Sequence, residues 1–254
     1  MSESPKRKPK RILLLGGTGD SRLLAESLAG RADVEVISSL AGRTEQPATL
    51  PGALRIGGFG GVEALADYLA SERIDLLVDA THPFAARISD NAERACRLSG
   101  TPHLLLSRPP WKERPGDRWI HVPDAEAAAA RLPGLAERVF LSVGRQELEA
   151  FSDLARIRFL VRMVDAPRGA LPLHGCEVVL GRGPFEENGE RALFLLHGIQ
   201  ALVTRNSGGE ATYAKIAVAR ELGLPVVMID RPPHREQETA ASVDEALGWI
   251  EARL

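Results

Sequence analysis

Short continuous apolar runs alternate with longer segments of helical periodicity along almost the whole chain. Ten short apolar runs predict β-strands at 12–15, 34–37, 54–56, 76–78, 103–106, 139–142, 158–161, 177–180, 201–204 and 226–229. Six segments with apolar residues every three or four positions predict helices at 21–29, 62–71, 85–98, 186–196, 211–222 and 243–252. Strands that are apolar throughout are typical of parallel sheets covered by helices on both faces. The pattern therefore predicts an α/β protein with open parallel sheets.

The two halves of the chain resemble each other. Residues 99–110 match residues 222–233 at an offset of 123, and the two segments share a glycine, an arginine and three prolines. This match indicates a tandem duplication of one open-sheet unit, with the boundary between the copies within 111–138.

The duplication divides the chain into three predicted parts. A basic tail at 1–11 has almost nothing apolar to bury and is expected to be disordered. The first domain is predicted at 12–120 and the second at 121–254. Because ligands bind beyond the carboxyl ends of strands in such sheets, we expect an active site in a cleft between the domains.

The charge of the chain excludes one large class of partners. The formal net charge is −2, and the basic run is confined to the tail. A general nucleic-acid binder needs a concentrated basic face, so no nucleic-acid partner is expected. The apolar run at 12–15 is too short for a signal peptide or a membrane span, which predicts a cytoplasmic protein without membrane contact. The histidines and cysteines lack metal-ligand spacing, so no metal site is predicted.

A glycine-rich turn follows the first predicted strand. Gly16, Gly17, Thr18 and Gly19 lead into a predicted helix that carries Arg22. Free N–H groups and the helix dipole favour a phosphate at such a junction, and glycine lets a pyrophosphate approach the backbone. The strict G-x-G-x-x-G pattern is not met, because Arg22 stands where the third glycine belongs. We interpret these five residues as a dinucleotide-binding turn, and a tight turn without a ligand is the alternative.

The end of the second predicted strand bears on the choice of cofactor. NAD enzymes usually offer an acidic residue there to the ribose hydroxyls, and this chain has none. Ser39, Gly42, Arg43 and Thr44 instead provide hydroxyls and an arginine, which suit the 2′-phosphate of NADP. NADPH is therefore the predicted cofactor, and an exposed loop charge is the alternative for Arg43.

Two further loops of the first half follow predicted strands. Gly58 and Phe59 lie in a run with four glycines in five residues, which lets the backbone pass close to a flat ligand. Asp79, Thr81 and His82 follow the fourth strand, where we expect the nicotinamide. Reducing a conjugated double bond needs a hydride and a proton, so His82 and Asp79 are candidate catalytic residues and Thr81 a candidate cofactor contact. A histidine that only caps the next helix is the alternative.

The second half lacks the diglycine turn but carries polar loops at the corresponding strand ends. Amides, hydroxyls and glycines at a strand-to-helix junction form a good anion or carbonyl site, and basic side chains bind carboxylates. The candidate substrate-binding residues are Arg145, Arg205, Asn206, Ser207, Gly208 and Lys215. A plain turn and a solvated lysine are the alternatives.

Several common enzyme classes lack their motifs in this chain. No Gly-x-Ser-x-Gly elbow and no P-loop lysine occur, so a hydrolase function has no support. Tyr213 and Lys215 are two positions apart and do not share a helix face, unlike the Y-x-x-x-K pair of short-chain dehydrogenases.

As a set, these motifs resemble the precorrin-6A reductase family, which includes a cobalt-precorrin counterpart. The resemblance covers nearly the whole chain after the tail and is carried by residues 14–18, 39–44, 79–85, 141–145, 206–209 and 213–215. Many members have Glu followed by Gly or Ala before the arginine of the first helix, where this chain has Asp20 and Ser21.

The resemblance implies two Rossmann-like domains, with NADPH in the N-terminal one and hydride delivery to a macrocycle in the interdomain cleft. The implied reaction converts precorrin-6A, or its cobalt-containing form, to precorrin-6B in cobalamin biosynthesis. We expect a monomer or a weak homo-oligomer.

Two other functions remain open from the sequence. A glycosyltransferase of the two-Rossmann type would share the cleft but use a nucleotide-sugar. A non-catalytic NADP-binding regulator would bind the cofactor without turnover.

Overall fold

The computed structural model describes residues 8–42, 50–232 and 237–254, which form two compact units. Unit 1 comprises the described residues up to Arg108 together with 237–254, and unit 2 is Pro109–Pro232. Each unit contains one six-stranded sheet. In the part of the chain that the structure describes, no helix has the length and apolar character needed to cross a membrane.

The elements alternate as the sequence pattern predicts. The strands are β1 (Lys10–Leu15), β2 (Val34–Leu40), β3 (Ala53–Ile56), β4 (Leu76–Asp79), β5 (His103–Leu106), β6 (Trp119–Val122), β7 (Arg138–Ser142), β8 (Arg158–Met163), β9 (Cys176–Leu180), β10 (Ala201–Arg205), β11 (Val226–Ile229) and β12 (Thr239–Ala240). The helices are α1 (Gly19–Leu28), α2 (Val62–Ser71), α3 (Ala86–Ser99), α4 (Ala125–Arg131), α5 (Glu187–Leu196), α6 (Ala214–Glu221) and α7 (Val243–Glu251), with a 3₁₀ helix at Arg145–Phe151. All ten predicted strands and all six predicted helices are confirmed, with bounds shifted by up to three residues.

Both sheets are parallel throughout. The strand order is β12-β5-β4-β1-β2-β3 in unit 1 and β6-β11-β10-β7-β8-β9 in unit 2. The predicted class, two Rossmann-like open parallel sheets, is therefore confirmed. The two orders match strand by strand, as the predicted duplication requires.

The sheet of unit 1 is buried on both faces, which explains why β1 is apolar at consecutive positions. Ile12 and Leu14 join the core cluster that includes residues of α1 and α7, whereas Leu13 and Leu15 join the cluster with α2 and α3. Burying each such leucine or isoleucine stabilises the fold by roughly 1.5–3 kcal/mol. The carboxyl ends of β1, β2 and β4 are thereby fixed next to one another.

The sixth strand of each sheet comes from the other half of the chain. After β5 the chain enters unit 2, where β6 pairs with β11, and after β11 it returns to unit 1, where β12 pairs with β5. This exchange corrects the predicted domains, since 237–254 complete unit 1 and the chain enters unit 2 at Pro109, before 111–138. Each of these edge strands pairs with a strand that is far away in the sequence. A prediction of two consecutive domains therefore places the boundary wrongly.

The predicted disordered tail is also too long. Lys10 and Arg11 belong to β1, and both contact the carboxylate of Asp75, at 3.0 Å through Lys10 Nζ and at 2.8 Å through the Arg11 N–H. Residues 1–7 lie outside the described residues.

Candidate active site

The glycine turn joins β1 to α1. Gly17 has a φ of +116°, and a Cβ added there or at Gly19 would meet no atom within 4 Å. At Gly16 an added Cβ would lie 3.1 Å from Ser21 Oγ, so that glycine is needed for packing. Gly17 and Gly19 thus leave the open space beside the backbone that a pyrophosphate requires.

Thr18 and Ser21 cap the start of α1. The Ser21 N–H donates to Thr18 Oγ1 at 3.1 Å, and Ser21 Oγ accepts from the N–H groups of Gly17 and Thr18, both at 3.1 Å. The Thr18 hydroxyl donates to Ala80 O at 2.8 Å and so ties the turn to the end of β4. Ser21 therefore stabilises the glycine turn as well as the start of α1.

Two N–H groups remain at the start of α1. Among the described residues, no acceptor receives the backbone N–H of Gly19 or Asp20. Such groups at a helix N-terminus are the donors that bind phosphate. The Asp20 carboxylate accepts from Arg108 Nη1 at 2.7 Å, and this guanidinium offsets the negative charge near those donors. Arg22, about half exposed, lies 3.5 Å from Glu26.

The end of β2 holds part of the predicted 2′-phosphate site. Ser39 is buried, and its carbonyl accepts from the Gly16 N–H at 2.9 Å. Gly42 has a φ of +70° and is exposed. The predicted residues Arg43 and Thr44 lie outside the described residues.

Arg55, which the sequence reasoning missed, organises the loop after β3. Its Nη1 donates to Gly57 O at 2.6 Å and its Nη2 to Gly58 O at 2.9 Å. The guanidinium carbon lies 3.7 Å from the centre of the Phe59 ring. The predicted pair Gly58 and Phe59 is thus held at the carboxyl edge of the sheet next to Ser39, whose Oγ is 3.5 Å from Arg55 Nη1.

Asp79, the last residue of β4, holds the loop that follows this strand. It is 0% exposed, and its Oδ1 accepts from the Thr81 N–H at 3.0 Å and from the Thr81 hydroxyl at 2.7 Å. In this structure Asp79 positions the loop after β4 through Thr81, and its catalytic role stays a prediction.

His82 lies half-buried in that loop. The Phe84 N–H donates to His82 Nδ1 at 3.3 Å, and the Ala85 N–H donates to His82 O at 2.7 Å. Since Nδ1 accepts, the proton of the neutral ring lies on Nε2. The helix α3 begins at Ala86, so His82 is a loop residue and does not cap the helix.

Two titratable groups are buried close to Asp79. Burial raises the pKa of the Cys96 thiol to about 12, and the charge of Asp79 adds to this rise. Burial lowers the pKa of His103, while Asp79 and Glu93 oppose the fall. Cys96 packs in the core cluster with α2 and α3, and a thiol with a raised pKa is a poor nucleophile.

In unit 2 a carboxylate closes the turn that corresponds to the glycine turn. The Gly144 N–H donates to Glu147 Oε2 at 2.5 Å, and Arg205 Nη1 lies 3.5 Å from the same oxygen. Arg145 is exposed at the start of the 3₁₀ helix. Glu147 thus takes the backbone donor that a phosphate would need at this turn, which lacks the diglycine of the first half.

Asn206 fixes the loop after β10. Its Oδ1 accepts from the Trp111 N–H at 2.7 Å, and its Nδ2 donates to Trp111 O at 3.1 Å. Trp111 Nε1 in turn donates to Gly209 O at 2.8 Å. Both ends of the buried amide are therefore used inside unit 2, where Asn206 positions the loop, and its predicted substrate contact stays a prediction.

The same loop needs glycine at Gly208. Its φ is +67°, and an added Cβ would lie 2.1 Å from Pro109 O. Arg231 Nε donates to Asn206 O and Arg231 Nη2 to Ser207 O, both at 2.8 Å. Arg231 matches Arg108 in the repeated segments, so the repeat was the available sequence signal for these two arginines. Arg55 and Trp111 had no such signal.

Lys215 is enclosed in unit 2. The residue is 4% exposed, and its Nζ donates to Thr212 O at 2.7 Å and lies 4.9 Å from the Trp111 ring. Burial lowers the pKa of Lys215 to about 7, and the charge of Glu190 opposes the fall. A solvated lysine, the alternative for this position, is therefore wrong. In this arrangement the amine faces a backbone carbonyl, so Lys215 stabilises the loop from within.

Comparisons with known proteins agree with this geometry. Residues 11–251 match the family described as Precorrin-6x reductase CbiJ/CobK. A precorrin-6A reductase of Rhodococcus erythropolis is 48% identical over 241 residues, which cover 94% of this chain and 97% of that protein. A cobalt-precorrin-6A reductase of Methanothermobacter thermautotrophicus is 31% identical, covering 89% of this chain and 78% of that protein.

A solved structure extends the agreement to the fold. The chain described as CobK precorrin-6A reductase superposes with a TM-score of 0.90 at 44% identity, covering 96% of this chain and 97% of that one. The chain therefore belongs to the precorrin-6x reductase family.

Proposed function

We propose that this protein is a cytoplasmic enzyme of cobalamin biosynthesis that uses NADPH to reduce one double bond of precorrin-6A, giving precorrin-6B. The observation that carries the proposal is the near full-length identity of 48% to a relative named precorrin-6A reductase. The two donors at the start of α1 and the absence of an acidic residue at the end of β2 support NADPH as the cofactor.

The residues of unit 1 fit a dinucleotide. The N–H groups of Gly19 and Asp20 would hold the pyrophosphate, since the turn leaves them without an acceptor and leaves space at Gly17. Thr81 and His82 follow β4, on the other side of β1 from β2 and β3, where the nicotinamide half would lie. When bound, the cofactor supplies the hydride.

His82 is the proposed source of the proton. Its Nδ1 accepts from the Phe84 N–H, so Nε2 carries the proton of the neutral ring. Asp79 holds this loop through Thr81 from inside the sheet. We expect His82 to touch the substrate and Asp79 to act only through the loop.

The substrate is proposed to bind to unit 2. The reactant is a ring with several carboxylate arms, and guanidinium groups bind carboxylates well. Arg145 is exposed, and Arg205, Ser207 and Gly208 lie at the carboxyl end of β10. Asn206 and Arg231 hold this loop in place, so the donors at its surface are already oriented.

The test is oxidation of NADPH by the purified protein with precorrin-6A, followed as loss of the reduced-nicotinamide absorbance. The cobalt-containing ring and NADH are run in parallel. We expect ring-dependent oxidation that is faster with NADPH, and His82→Gln should lower kcat with little change in the KM for NADPH. Tight NADPH binding without oxidation by either ring would instead support a non-catalytic regulator.

A further inference from the structure

Arg55 places a fixed positive charge beside the end of β2. In the sheet Ser39 of β2 pairs with Arg55 of β3, and the Ser39 hydroxyl oxygen lies 3.5 Å from Arg55 Nη1. Ser39 is buried and Arg55 is half-buried, so neither side chain extends far into solvent. The pair therefore forms a small polar site of a hydroxyl and a cation.

The Arg55 guanidinium is already held in one position. The carbonyls of Gly57 and Gly58 accept from its two terminal nitrogens at 2.6 and 2.9 Å. The Phe59 ring lies under it at 3.7 Å, and the Tyr68 ring is 5.4 Å away. An arginine oriented in this way loses little further side-chain entropy when it binds an anion.

The charge of Arg55 has no acidic partner in the part of the chain that the structure describes. Among the described residues, no carboxylate lies within ion-pair distance of it. Its hydrogen bonds use three of the five N–H groups of a guanidinium, so two donors remain. Two donors on one cation suit a phosphate group.

The position of Arg55 in the sheet indicates which phosphate. The strand order β4-β1-β2-β3 puts the pyrophosphate turn after β1 and His82 after β4. A dinucleotide that crosses the carboxyl ends of such a sheet has its adenosine half over β2 and β3. We propose that Arg55, together with Ser39, binds the 2′-phosphate of that half and sets the preference for NADPH over NADH. This inference rests on the proposed function.

The experiment measures the affinity of the full-length protein for NADPH and for NADH by titration calorimetry. Arg55→Met is expected to weaken NADPH binding by about tenfold or more, because a charge-assisted hydrogen bond is lost. Binding of NADH, which has no 2′-phosphate, should stay close to the wild-type value. The affinity of Arg55→Lys for NADPH should lie between those of the wild-type protein and Arg55→Met, since an ammonium keeps the charge but cannot form a bidentate contact.

Arg94→Met is the matched control, because Arg94 is an exposed arginine on α3 of the same unit, paired with Asp90 at 3.5 Å. It should leave both affinities unchanged. The same titrations with 2′,5′-ADP and 5′-AMP isolate the phosphate, and only 2′,5′-ADP should respond to Arg55→Met. Circular dichroism checks that each variant is folded. If Arg55→Met does not fold, the test uses Arg55→Lys in its place.

The outcomes separate the two proposals. If Arg55 variants weaken NADPH and NADH equally, Arg55 only clamps the loop of Gly58 and Phe59, and the inference is wrong. If the wild-type protein binds NADPH more tightly than NADH and the Arg55 variants keep the same ratio of the two affinities, the inference is wrong and the proposed function stands. Failure of the wild-type protein to bind either cofactor overturns the proposed function as well.

Discussion

Glu190 on α5 balances buried positive charge in unit 2. Arg162 donates to both of its carboxylate oxygens, at 2.8 and 2.7 Å, and stacks on the Phe185 ring at 4.0 Å. The same carboxylate opposes the fall in the pKa of buried Lys215. Since an arginine stays charged at all ordinary pH values, Lys215 is the cation of this group whose charge changes near neutral pH.

The pH dependence of stability should therefore carry a contribution from Lys215. Its pKa is about 7 in the folded protein, against the ordinary lysine value of 10.5, so the unfolded chain binds more protons between these values. The free energy of unfolding then rises with pH in this window, by about 1 kcal/mol per pH unit from this residue. We expect Lys215→Met to show a correspondingly flatter slope between pH 7 and pH 9 in urea denaturation.

Lys112→Met removes an exposed lysine of the same unit and is the control for Lys215→Met. It should keep the wild-type slope. Equal slopes for Lys215→Met and the wild-type protein would mean that the amine is solvated in the folded state.

At the scale of residues, the positions of the loops follow from the sequence more directly than the contacts of their side chains. The stretches that contain Asp79 and Asn206 follow β4 and β10 as the sequence pattern predicts, because polar residues after apolar strands stand out in the pattern. Their burial did not follow from that pattern, since it depends on packing against distant elements such as the segment of Trp111. Arg55 was missed because a single arginine inside a strand has no motif.

At the scale of elements, β12 and α7 complete unit 1 from the far end of the chain. Ala240 of β12 and Ala246 and Ile250 of α7 are buried in the same core cluster as Leu24 and Leu28 of α1. The core of the proposed cofactor-binding unit therefore depends on the last residues of the sequence.

Ile250→Ala tests this dependence. Ile250 is 0% exposed, so the truncation leaves a cavity and should lower the free energy of unfolding by about 2–4 kcal/mol. Leu196→Ala, at the end of α5, removes a side chain that is 80% exposed and should change stability by less than about 0.5 kcal/mol. Urea denaturation measures both, and a small effect of Ile250→Ala would show that α7 contributes little to the core.

The elements that sequence reasoning missed are short or lack a clear apolar pattern. The strand β12 has two residues, and β6 mixes a tryptophan and a histidine with two apolar residues. The helix α4 is mostly alanine, which gives no periodic contrast. Long apolar strands such as β1 and β7 were predicted because their burial on both faces makes every central position apolar.

At the scale of the whole molecule, the two units differ in how the chain forms them: unit 2 is continuous in sequence and unit 1 is not. Unit 2 is one continuous segment, Pro109–Pro232, that contains all six strands of its sheet. Unit 1 is discontinuous, because the chain leaves it at Arg108 and returns for β12 and α7. The repeat can be recognised in the sequence, but the exchange of the edge strand cannot. A sheet with the exchange and a sheet without it would show the same alternation of strands and helices along the chain.

This difference predicts how fragments of the chain fold. Fragment 109–232 should unfold cooperatively in urea, because its sheet and its core around Phe140 and Leu202 are complete. Fragment 1–108 should not, since it lacks β12 and α7, and a peptide of residues 237–254 should restore folding when added. The peptide carries Trp249 and the fragment has no tryptophan, so fluorescence reports the binding directly. Fragment 121–254 is the control, because it begins inside β6 and should fail to fold. Cooperative folding of 1–108 that ignores the peptide would show that the exchanged strand is not needed to complete unit 1.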